Sequence, residues 1–443
     1  MQIVSFGLTD VGQKRKHNED YFLVDPDFGL YIVCDGMGGH ASGEIASSTA
    51  ATSIHEEVRE ATEALAALDQ GLTELAERLL RGALERASAR IFQMGVDQPT
   101  KKGMGTTCSV LILRAGKGVM AHVGDSRIYL VRGGQAHQLS EDHTFLQEAV
   151  RHGIMTPQQA KESSHQNIIT RAVGPLEKVM VDTLVFDVLD DDTYMLCSDG
   201  LHGHLDETDD LAAMLAGADL EAMPKRLVDL ANERGGDDNI TAVVLRARRV
   251  NADQVETDRA TLVNACIDTF RHIQLFQELS MPELLRVTTA CRTETFQPNE
   301  EIIREGEMSE SLFLLVSGQV SVERHDSVVA LLGAGAHFGE MALLSQRPRS
   351  ATVKARTAAT VMVLDRPPFF AMMQQDSLLA TKFLWRLAQS LSLRLDDFYG
   401  LQEASSASGG ALHAKSTLRF GLYPSPFNYA PPPRTEPEVK TQG

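Results

Sequence analysis

The first 248 residues consist of short apolar runs separated by polar turns, which is the pattern of β-strands. Each run is bounded by Gly, Asp or Asn, residues that favour turns. Residues 43–94 differ, because Ala, Leu and Glu recur there at helical spacing, and we expect two helices with a break near residues 69–71. Strands and helices do not alternate regularly, so the pattern predicts an α+β fold and not a doubly wound sheet. The predicted strands are residues 3–8, 30–34, 106–113, 119–123, 128–131, 194–197 and 240–245.

The pattern changes after the last of these strands. Residues 246–258 are charged and lack apolar periodicity, which predicts a linker. A helical pattern resumes at residue 262, short β-runs follow at 296–364, and a helix is expected at 377–398. After residue 403 the chain turns to Ser, Ala, Gly and Pro, which is typical of disorder. The expected units are a domain at 1–248, a linker at 249–261, a second domain at 262–400 and a disordered tail at 401–443.

One polar segment of the first domain has two interpretations. Residues 141–174 carry helical patterns and few strand patterns. They form either a mobile flap beside a site or a pair of surface helices, and composition does not separate the two.

Composition restricts the class of protein. No apolar run reaches the roughly 18 residues that suggest a membrane span, and the first nine residues have the pattern of a strand rather than of a signal peptide. Five cysteines without framework spacing fit reduced thiols. These features favour a cytoplasmic protein without membrane contact. Residues 1–248 carry 38 acidic and 23 basic side chains, which argues against nucleic acid as a ligand.

Acidic residues gather at the ends of the predicted strands in the first domain. Carboxylates that converge on one point repel each other unless a cation lies between them, and hard cations such as Mg²⁺ and Mn²⁺ prefer oxygen ligands. Asp35-Gly36 and Asp199-Gly200 each follow an apolar strand, although one Asp-Gly pair alone is more often a plain turn. Five clusters together predict a site for divalent metals. They lie at residues 18–20, 35–36, 124–127, 198–200 and 237–239.

Arg15 lies three residues before the first of these clusters. A guanidinium near a metal site can hold a phosphate through two parallel hydrogen bonds. The alternative is a surface Arg15 that pairs with Glu19 or Asp20.

In order along the chain, these clusters and their neighbours resemble the bacterial form of the type 2C metal-dependent serine/threonine phosphatases. The resemblance covers about residues 1–248. It implies a β-sandwich flanked by helices, with two metal ions between the sheets. The matching segments are residues 9–12, 15–20, 33–40, 43–47, 105–107, 124–127, 169–174, 197–200 and 237–241.

The resemblance also implies a role for individual residues of the acidic clusters. Asp35 is expected to bridge the two metal ions, and the carbonyl group of Gly36 to bind one of them. Asp199 and Asp238 would complete the ligands of the other ion. Asp125, together with Asp199, would hold a weaker third ion.

Three more residues complete the expected site. Glu19 and Asp20 would support the metal ions through water, and Arg15 would hold the phosphate. Two cations about 4 Å apart lower the pKa of a bridging water, which then attacks phosphorus in line. No covalent phosphoenzyme is needed. The expected catalytic residues are therefore Arg15, Asp35, Asp199 and Asp238.

One position departs from the animal members of the family. Those members carry a His directly after the Asp-Gly pair, whereas this chain has Met37, as many bacterial members do. Met cannot donate a proton, so the leaving alkoxide must receive its proton from another source, and we do not expect His40 to be this acid. His202 and His204 are expected in an exposed loop rather than in a site for a softer metal.

The second half has spaced glycines between short strands, which fits a small β-roll. Gly339 opens a turn into a short helix whose amide groups can meet an anion. Glu340 can accept from a sugar hydroxyl, and Arg349 can pair with a phosphate. Residues 338–353 resemble the phosphate-binding cassette of cyclic nucleotide-binding domains, and the resemblance extends over about 262–398.

By this resemblance, Glu340 holds the ribose 2′-hydroxyl and Arg349 the cyclic phosphate. The backbone of Gly339 and Ala342 lies nearby. Ser350 follows the arginine, at a place where Ala or Ser is associated with cyclic AMP and Thr with cyclic GMP, so cyclic AMP is favoured. The alternative is a roll that binds no ligand.

The predicted C-terminal helix also has two interpretations. It either packs on the roll and covers the nucleotide pocket or forms the seam of a homodimer. Nothing that resembles a helix-turn-helix follows it, which disfavours a transcription factor. Its leucines at helical spacing are Leu384, Leu387, Leu391 and Leu395, with Trp385 beside them.

These patterns predict a Mn²⁺- or Mg²⁺-dependent phosphatase that acts on phosphoserine and phosphothreonine and that a cyclic nucleotide modulates. Its substrates would be proteins phosphorylated by a serine/threonine kinase. One alternative is a phosphatase whose second domain only docks partners, and another is an inactive scaffold. An inactive member should lack Asp35, Asp199 or Asp238, and all three are present.

Overall fold

The computed structural model describes residues 1–38, 42–163, 168–205, 210–217, 219–249, 263–264, 267, 270–271, 273, 275–325, 327–344 and 347–407. Its first half is a sandwich of two antiparallel sheets. The strands are β1 (Gln2–Asp10), β2 (Asp20–Asp25), β3 (Leu30–Met37), β4 (Gly105–Thr106), β5 (Cys108–Arg114), β6 (Lys117–Val123), β7 (Arg127–Arg132), β8 (Gln135–Gln138), β9 (Asp182–Asp187), β10 (Thr193–Cys197) and β11 (Ile240–Arg248). One sheet has the order β1-β11-β10-β7-β8 and the other the order β2-β3-β5-β6-β9, with β4 beside β3.

Side chains alternate between the two faces of each strand, as the pleat requires. In β10, Tyr194 and Leu196 belong to the core between the sheets, whereas Met195 and Cys197 face the outer helices. The sandwich is therefore covered on both outer faces by helices, which agrees with the expected α+β class. The helices are α1 (Ser42–Glu60), α2 (Thr62–Asp69), α3 (Glu74–Asp97), α4 (Phe145–Arg151), α5 (Pro157–Lys161), α6 (Asp199–His202), α7 (Leu211–Leu215) and α8 (Met223–Glu233), with a 3-10 turn at Pro99–Lys101.

Two sequence predictions in this domain are wrong in detail. The stretch expected to hold two helices holds three, because the chain also leaves the helical conformation at Ala61 (φ −83°, ψ 54°), a residue without a helix-breaking side chain. The strand expected at 106–113 is divided at Thr107. Its hydroxyl accepts a hydrogen bond from the Asp35 amide at 2.9 Å, so a side chain replaces one backbone contact of the ladder.

The polar segment 141–174 contains the short helices α4 and α5, as the helix-pair interpretation expects. A bridge between Thr106 and Val173 ties its end to β4, and a bridge between Thr144 and Ile169 closes it on itself. The segment therefore forms a small lobe beside the edge of the sandwich.

The second half is a β-roll of two four-stranded sheets with a shared apolar core. Three helices pack on the outer face of one sheet, namely α9 (Met281–Ala290), α11 (Arg366–Gln375) and α12 (Ser377–Ala407). The strands are β12 (Arg292–Phe296), β13 (Glu301–Ile303), β14 (Ser311–Ser317), β15 (Gln319–Arg324), β16 (Ser327–Gly333), β17 (His337–Phe338), β18 (Thr352–Ala355) and β19 (Ala359–Asp365), and helix α10 is Met341–Leu344.

Helix α12 differs from its prediction in length and in its buried face. It continues past residue 398 to Ala407, and the predicted linker and tail lie largely outside the described residues. Leu387 is buried as expected, but Leu384 and Trp385 are 51% and 40% exposed, and Phe383 takes the buried position instead. Helical spacing alone did not reveal which side faces the roll. No helix in the described part of the chain is long and apolar enough to cross a membrane.

We expect the buried ion pair between Arg132 and Asp192 to be essential for the stability of the sandwich. Asp192 accepts from Arg132 at 2.6 and 2.9 Å, from the Leu189 amide at 2.7 Å and from the Tyr194 hydroxyl at 3.1 Å. Asp192→Ala leaves the guanidinium buried without its partner and should lower the free energy of unfolding by about 3–5 kcal/mol in urea denaturation. The exposed pair Lys225–Asp229 provides the control, since Asp229→Ala should change it by less than about 1 kcal/mol. Equal effects of the two variants would contradict this expectation.

Candidate metal and nucleotide sites

The first sheet places three acidic residues at one edge. Cys197, the last residue of β10, pairs with Ala242 near the start of β11 and with Arg127 at the start of β7. Turns that lead into or out of these strands therefore meet at the same end of the sheet. The acidic residues in those turns are Asp199 after β10, Asp238 before β11 and Asp125 before β7.

Asp20 joins this edge to the second sheet. It lies opposite Asp35 in the pairing of β2 with β3. Its Oδ2 accepts hydrogen bonds from the hydroxyl groups of Ser198 at 2.7 Å and Thr241 at 2.6 Å, both of which belong to the first sheet and its turns. Burial raises the pKa of Asp20 to about 7, although these hydrogen bonds favour the ionised form.

The acidic residues at this edge disfavour one another's negative charge. Burial raises the pKa of Asp35 well above its usual range, and the neighbouring Asp20 and Asp199 raise it further. Burial also raises the pKa of Asp125 to about 7, with Asp199 as the next cause. Buried Oδ1 atoms of Asp20, Asp125 and Asp199 have no hydrogen-bond partner among the described residues. Buried carboxylate oxygens without donors and with repelling charges fit the ligands of a divalent cation.

The carboxylates are near one another but do not form a finished coordination shell. Within the residues that the structure describes, no group of three or more His, Cys, Asp or Glu side chains is arranged to hold a metal ion. Asp238 accepts a hydrogen bond from Arg15 at 2.6 Å instead, and Asp35 interacts with Asp199. Side-chain rotation can redirect a carboxylate, whereas the strands fix which carboxylates are neighbours, so the arrangement is compatible with a metal site.

Two glycines let the backbone approach this edge closely. A Cβ atom on Gly36 would lie 2.2 Å from the carbonyl oxygen of Gly43 and 2.6 Å from that of Glu19. The carboxylate of Glu19 lies against Gly43 at the start of α1. Gly12 has a φ of +77°, and a Cβ there would lie 2.1 Å from the carbonyl oxygen of Asp238. The start of α1 and the loop after β1 therefore pack directly on the acidic edge, which only glycine permits.

Asn239 fixes the loop that carries Arg15 and Glu19. Its Oδ1 accepts from the Glu19 amide at 2.8 Å, and its Nδ2 donates to the carbonyl groups of Val11 at 3.0 Å and His17 at 2.9 Å. Asn239 belongs to one of the acidic clusters of the sequence, but its pattern predicted no role for it. Its position beside a predicted metal ligand was the one local indication of a role. Its hydrogen-bond partners lie 220 or more residues away along the chain, so the sequence did not reveal them.

His202 lies inside the site and not in the exposed loop that the sequence suggested. Its Nε2 donates to the Asp125 carbonyl group at 2.9 Å, and burial lowers the pKa of His202 to about 3. His204 lies instead 4.0 Å from Asp237, so the two histidines do not form a common metal site. His40 lies outside the described residues.

The second domain brings Gly339, Glu340 and Arg349 together. Gly339 has a φ of +81°, and its carbonyl oxygen accepts from Arg349 Nη1 at 3.0 Å. Arg349 Nη2 donates to the Ser309 hydroxyl and the Ser311 carbonyl group, both at 2.7 Å. The side chains of Glu340 and Arg349 are buried.

Arg349 is a buried cation whose hydrogen-bond partners among the described residues are neutral. Burial lowers its pKa, and Glu340 is the one carboxylate that raises it. Its Nη1 and Nη2 donate to the neutral oxygens named above, and its Nε has no hydrogen-bond partner among the described residues. A buried guanidinium in this state fits an anionic ligand. Ala342 is buried in the short helix that follows, whereas Ser350 is exposed.

The raised pKa of Asp20 predicts how its removal changes stability with pH. Between about pH 4 and 7 the folded protein keeps a proton on Asp20 that the unfolded chain has lost, so Asp20 destabilises the metal-free fold as pH rises through that interval. Asp20→Asn should therefore gain stability relative to the wild type from pH 5 to pH 8 in EDTA. The comparison between variants is needed because the buried His122 and the half-buried His202, both with lowered pKa values, act in the opposite direction.

Urea denaturation in EDTA at several pH values checks this prediction. The exposed Asp229→Asn serves as the control and should run parallel to the wild type. A constant difference between Asp20→Asn and wild type at all pH values would be inconsistent with a carboxyl group that titrates near neutrality. Added Mn²⁺ should stabilise the wild type at pH 8, because a ligand of the folded state raises the free energy of unfolding.

Comparisons with known families identify both domains of the chain. The family model for protein phosphatase 2C matches residues 12–232, and the model for the cyclic nucleotide-binding domain matches residues 293–376. Protein phosphatase PhpP of Streptococcus pneumoniae is 34% identical over 251 residues, which cover 56% of this chain and 98% of that protein. The serine/threonine phosphatase stp of Listeria monocytogenes is 35% identical over 240 residues, which cover 54% of this chain and 93% of that protein.

Solved structures show the same relationship for the first domain. The Mycobacterium tuberculosis serine/threonine phosphatase PstP/Ppp matches with a TM-score of 0.51 and 28% identity, over 56% of this chain and 100% of that chain. The S. agalactiae serine/threonine phosphatase matches with a TM-score of 0.50 and 34% identity, over 55% of this chain and 98% of that chain. Because the chain spans nearly the whole length of relatives more than 30% identical to it, it belongs to the type 2C family of metal-dependent serine/threonine protein phosphatases, with a cyclic nucleotide-binding domain after the phosphatase domain.

Proposed function

We propose that the first domain removes phosphate from phosphoserine and phosphothreonine of proteins with Mn²⁺ or Mg²⁺, and that cyclic AMP on the second domain modulates this reaction. The observation that carries the first part is the set of buried, unpartnered oxygens of Asp20, Asp125 and Asp199 within the described residues. Cations at this edge would satisfy those oxygens and remove the repulsion that raises the pKa values of the carboxyl groups.

The acidic edge has enough oxygen donors for more than one cation. When bound, the metal ions would supply a hydroxide nucleophile near neutral pH and neutralise charge on the phosphoryl group. The protein would orient these ions through the pairing of β2 with β3 and through the turns after β10 and before β11. The ligands that we assign are Asp35, the Gly36 carbonyl group, Asp199 and Asp238 for two ions, Asp125 with Asp199 for a third, and Glu19 and Asp20 through water.

Arg15 is the residue that we assign to the phosphoryl group. Its side chain is 52% exposed and contacts Asp238, so its guanidinium lies at the border between the acidic edge and solvent. A phosphoryl group would give Arg15 a new anionic partner, and Asp238 would then be free to turn towards a cation. Cations and Arg15 together would make this edge attractive to an anion, although the domain as a whole is acidic.

Hydrolysis of a phosphothreonine peptide with Mn²⁺ tests the assignment of the acidic edge. Asp35→Asn and Asp199→Asn should each lower kcat/KM at least about 100-fold, and excess EDTA should abolish the reaction. Arg15→Ala should lower kcat/KM about 10- to 100-fold, because it removes a charged hydrogen-bond donor. Lys14→Ala, which removes the neighbouring exposed cation, should have little effect. Hydrolysis that persists in EDTA or in Asp35→Asn would rule out this assignment.

The second part of the proposal rests on the buried guanidinium of Arg349. Its Nε without a partner among the described residues and its single nearby carboxylate leave it able to bind an anion. We assign the cyclic phosphate to Arg349, the ribose 2′-hydroxyl to Glu340 and nearby backbone contacts to Gly339 and Ala342. Ser350 follows the arginine and is our basis for cyclic AMP over cyclic GMP.

Calorimetric titration with cyclic AMP and cyclic GMP tests the nucleotide site. Arg349→Gln should weaken cyclic AMP binding about 10- to 100-fold, since a charged hydrogen bond contributes about 1.5–3 kcal/mol. The control is Arg347→Gln, an exposed arginine of the same segment, which should bind as the wild type does. Unchanged affinity in Arg349→Gln would contradict the assignment. A wild type that binds neither nucleotide would favour the alternative in which the second domain only docks partner proteins.

A further inference from the structure

Asp376 of the second domain contacts the lobe of the first domain. It lies directly before α12, and its Oδ1 accepts from the amides of Leu378 at 3.1 Å and Leu379 at 3.0 Å, so it caps the N-terminus of this helix. Its Oδ2 accepts from Arg286 of α9 at 2.8 Å. Its Oδ1 also lies 3.5 Å from Nη2 of Arg151, the last residue of α4 in the phosphatase domain.

Arg151 continues this contact towards the acidic edge. Its Nη1 donates to Glu141 at 3.2 Å, and the carbonyl group of Glu141 accepts from His122 at 3.1 Å. Two residues later, the amide of His143 donates to the Gly124 carbonyl group at 2.8 Å, and His143 Nδ1 accepts from the Gly124 amide at 3.1 Å. Gly124 directly precedes the proposed metal ligand of this turn. The segment that Arg151 holds is therefore bonded to the turn itself.

The segment has a second attachment to the same turn. Asp142 accepts from Nε and Nη2 of Arg127 at 3.0 and 2.6 Å, and Arg127 lies two residues after Asp125. Hydrogen bonds thus hold residues 141–143 on both sides of Asp125. A displacement of this segment would also move the Asp125 carboxylate, because hydrogen bonds to Gly124 and Arg127 attach the segment to the turn on both sides of Asp125.

The other end of the contact reaches the nucleotide site. Leu343 follows Glu340 by three residues, is fully buried and belongs to the same apolar cluster as Phe369 of α11 and Phe383 of α12. A ligand that moves the short helix after Glu340 must therefore displace side chains that support α12. Because Asp376 caps the N-terminus of α12, Asp376 moves when this helix moves.

The two domains are joined in one place by apolar packing and in another by ions around a cavity. Met281 and Leu285 of α9 belong to the same buried cluster as Leu184 and Phe186 of β9, which anchors α9 on the sandwich. Beside this anchor lies a cavity of about 1360 Å³ with α4 on one side and the start of α12 on the other. The cavity leaves space for the start of α12 to shift relative to α4, while the ion pairs of Arg286 with Asp376 and of Lys382 with Glu283 tie α12 to α9. Residues that line the cavity include Asp142, Arg151, Arg286 and Lys382.

We propose that the contact between Arg151 and Asp376 transmits cyclic nucleotide binding to the turn that carries Asp125, and that Arg151 is a positioning residue of the phosphatase site. This inference rests on the modulation proposed above. Arg151 touches neither the expected substrate nor a metal ligand and acts through Glu141 and the turn. Because Arg286 also pairs with Asp376, loss of Arg151 leaves the cap of α12 with a charged partner, so the second domain keeps its structure.

The test compares wild type, Arg151→Gln, Arg151→Lys and Arg78→Gln, the last an exposed arginine on α3 that controls for loss of charge. The measured quantity is the rate of phosphopeptide hydrolysis with saturating cyclic AMP divided by the rate without it. Coupling between two sites commonly changes the affinity for a ligand about fivefold or more. In Arg151→Gln the ratio of the two hydrolysis rates should lie within about twofold of one. Cyclic AMP should still bind by calorimetry, and Arg151→Lys should restore most of the response.

Two further measurements separate coupling from a general loss of structure. Asp376→Asn should reduce the ratio as Arg151→Gln does. The ratio of the double variant should be little lower, because both substitutions remove the same contact between Arg151 and Asp376. Cyclic AMP should change hydrogen exchange of residues 141–155 in the wild type but not in Arg151→Gln. A full response in Arg151→Gln would overturn this inference and leave the proposed function intact. A wild type that binds cyclic AMP with a ratio of one would remove the proposed modulation and this inference with it.

Discussion

Electrostatic repulsion among carboxylates at the common edge of two sheets is the constraint on which the phosphatase domain depends. The pairing of Asp20 with Asp35 and the turns that hold Asp125 and Asp199 are fixed by the same strands that build the core. The fold therefore gathers negative charge at one place before any ligand arrives, at a cost that appears as raised pKa values. Burial of apolar side chains between the sheets and under helices α1–α3 offsets this cost.

Hydroxyl and amide groups limit this repulsion without removing it. The hydroxyl groups of Ser198 and Thr241 donate to Asp20 across the gap between the sheets, and Asn239 holds the neighbouring loop through three hydrogen bonds. These groups supply donors to only some of the carboxylate oxygens. The oxygens that remain without donors are those that a cation would bind, so the polar side chains determine where a metal ion is needed as well as where it can fit.

Features with a local signal could be predicted from the sequence. Strands follow from apolar runs between turn residues, and the acidic edge follows from carboxylates that adjoin those strands. The division at Thr107, the break at Ala61 and the contact of His202 with Asp125 escaped prediction, because each depends on a partner distant along the chain or lacks a distinctive residue type. Exposure of Leu384 could not be inferred from spacing, since a helix with apolar residues on more than one face does not reveal which face packs on the roll.

The packing of α9 against β9 has a consequence for the independence of the two halves. Met281 and Leu285 fill part of the buried cluster that Leu184 and Phe186 begin, so a fragment that stopped at the end of β11 would carry an apolar patch exposed to water. Exposed patches of this kind promote self-association. The cyclic nucleotide-binding domain therefore also shields an apolar surface of the phosphatase domain from water, and mutations in α9 can reduce the amount of soluble enzyme without touching either ligand site.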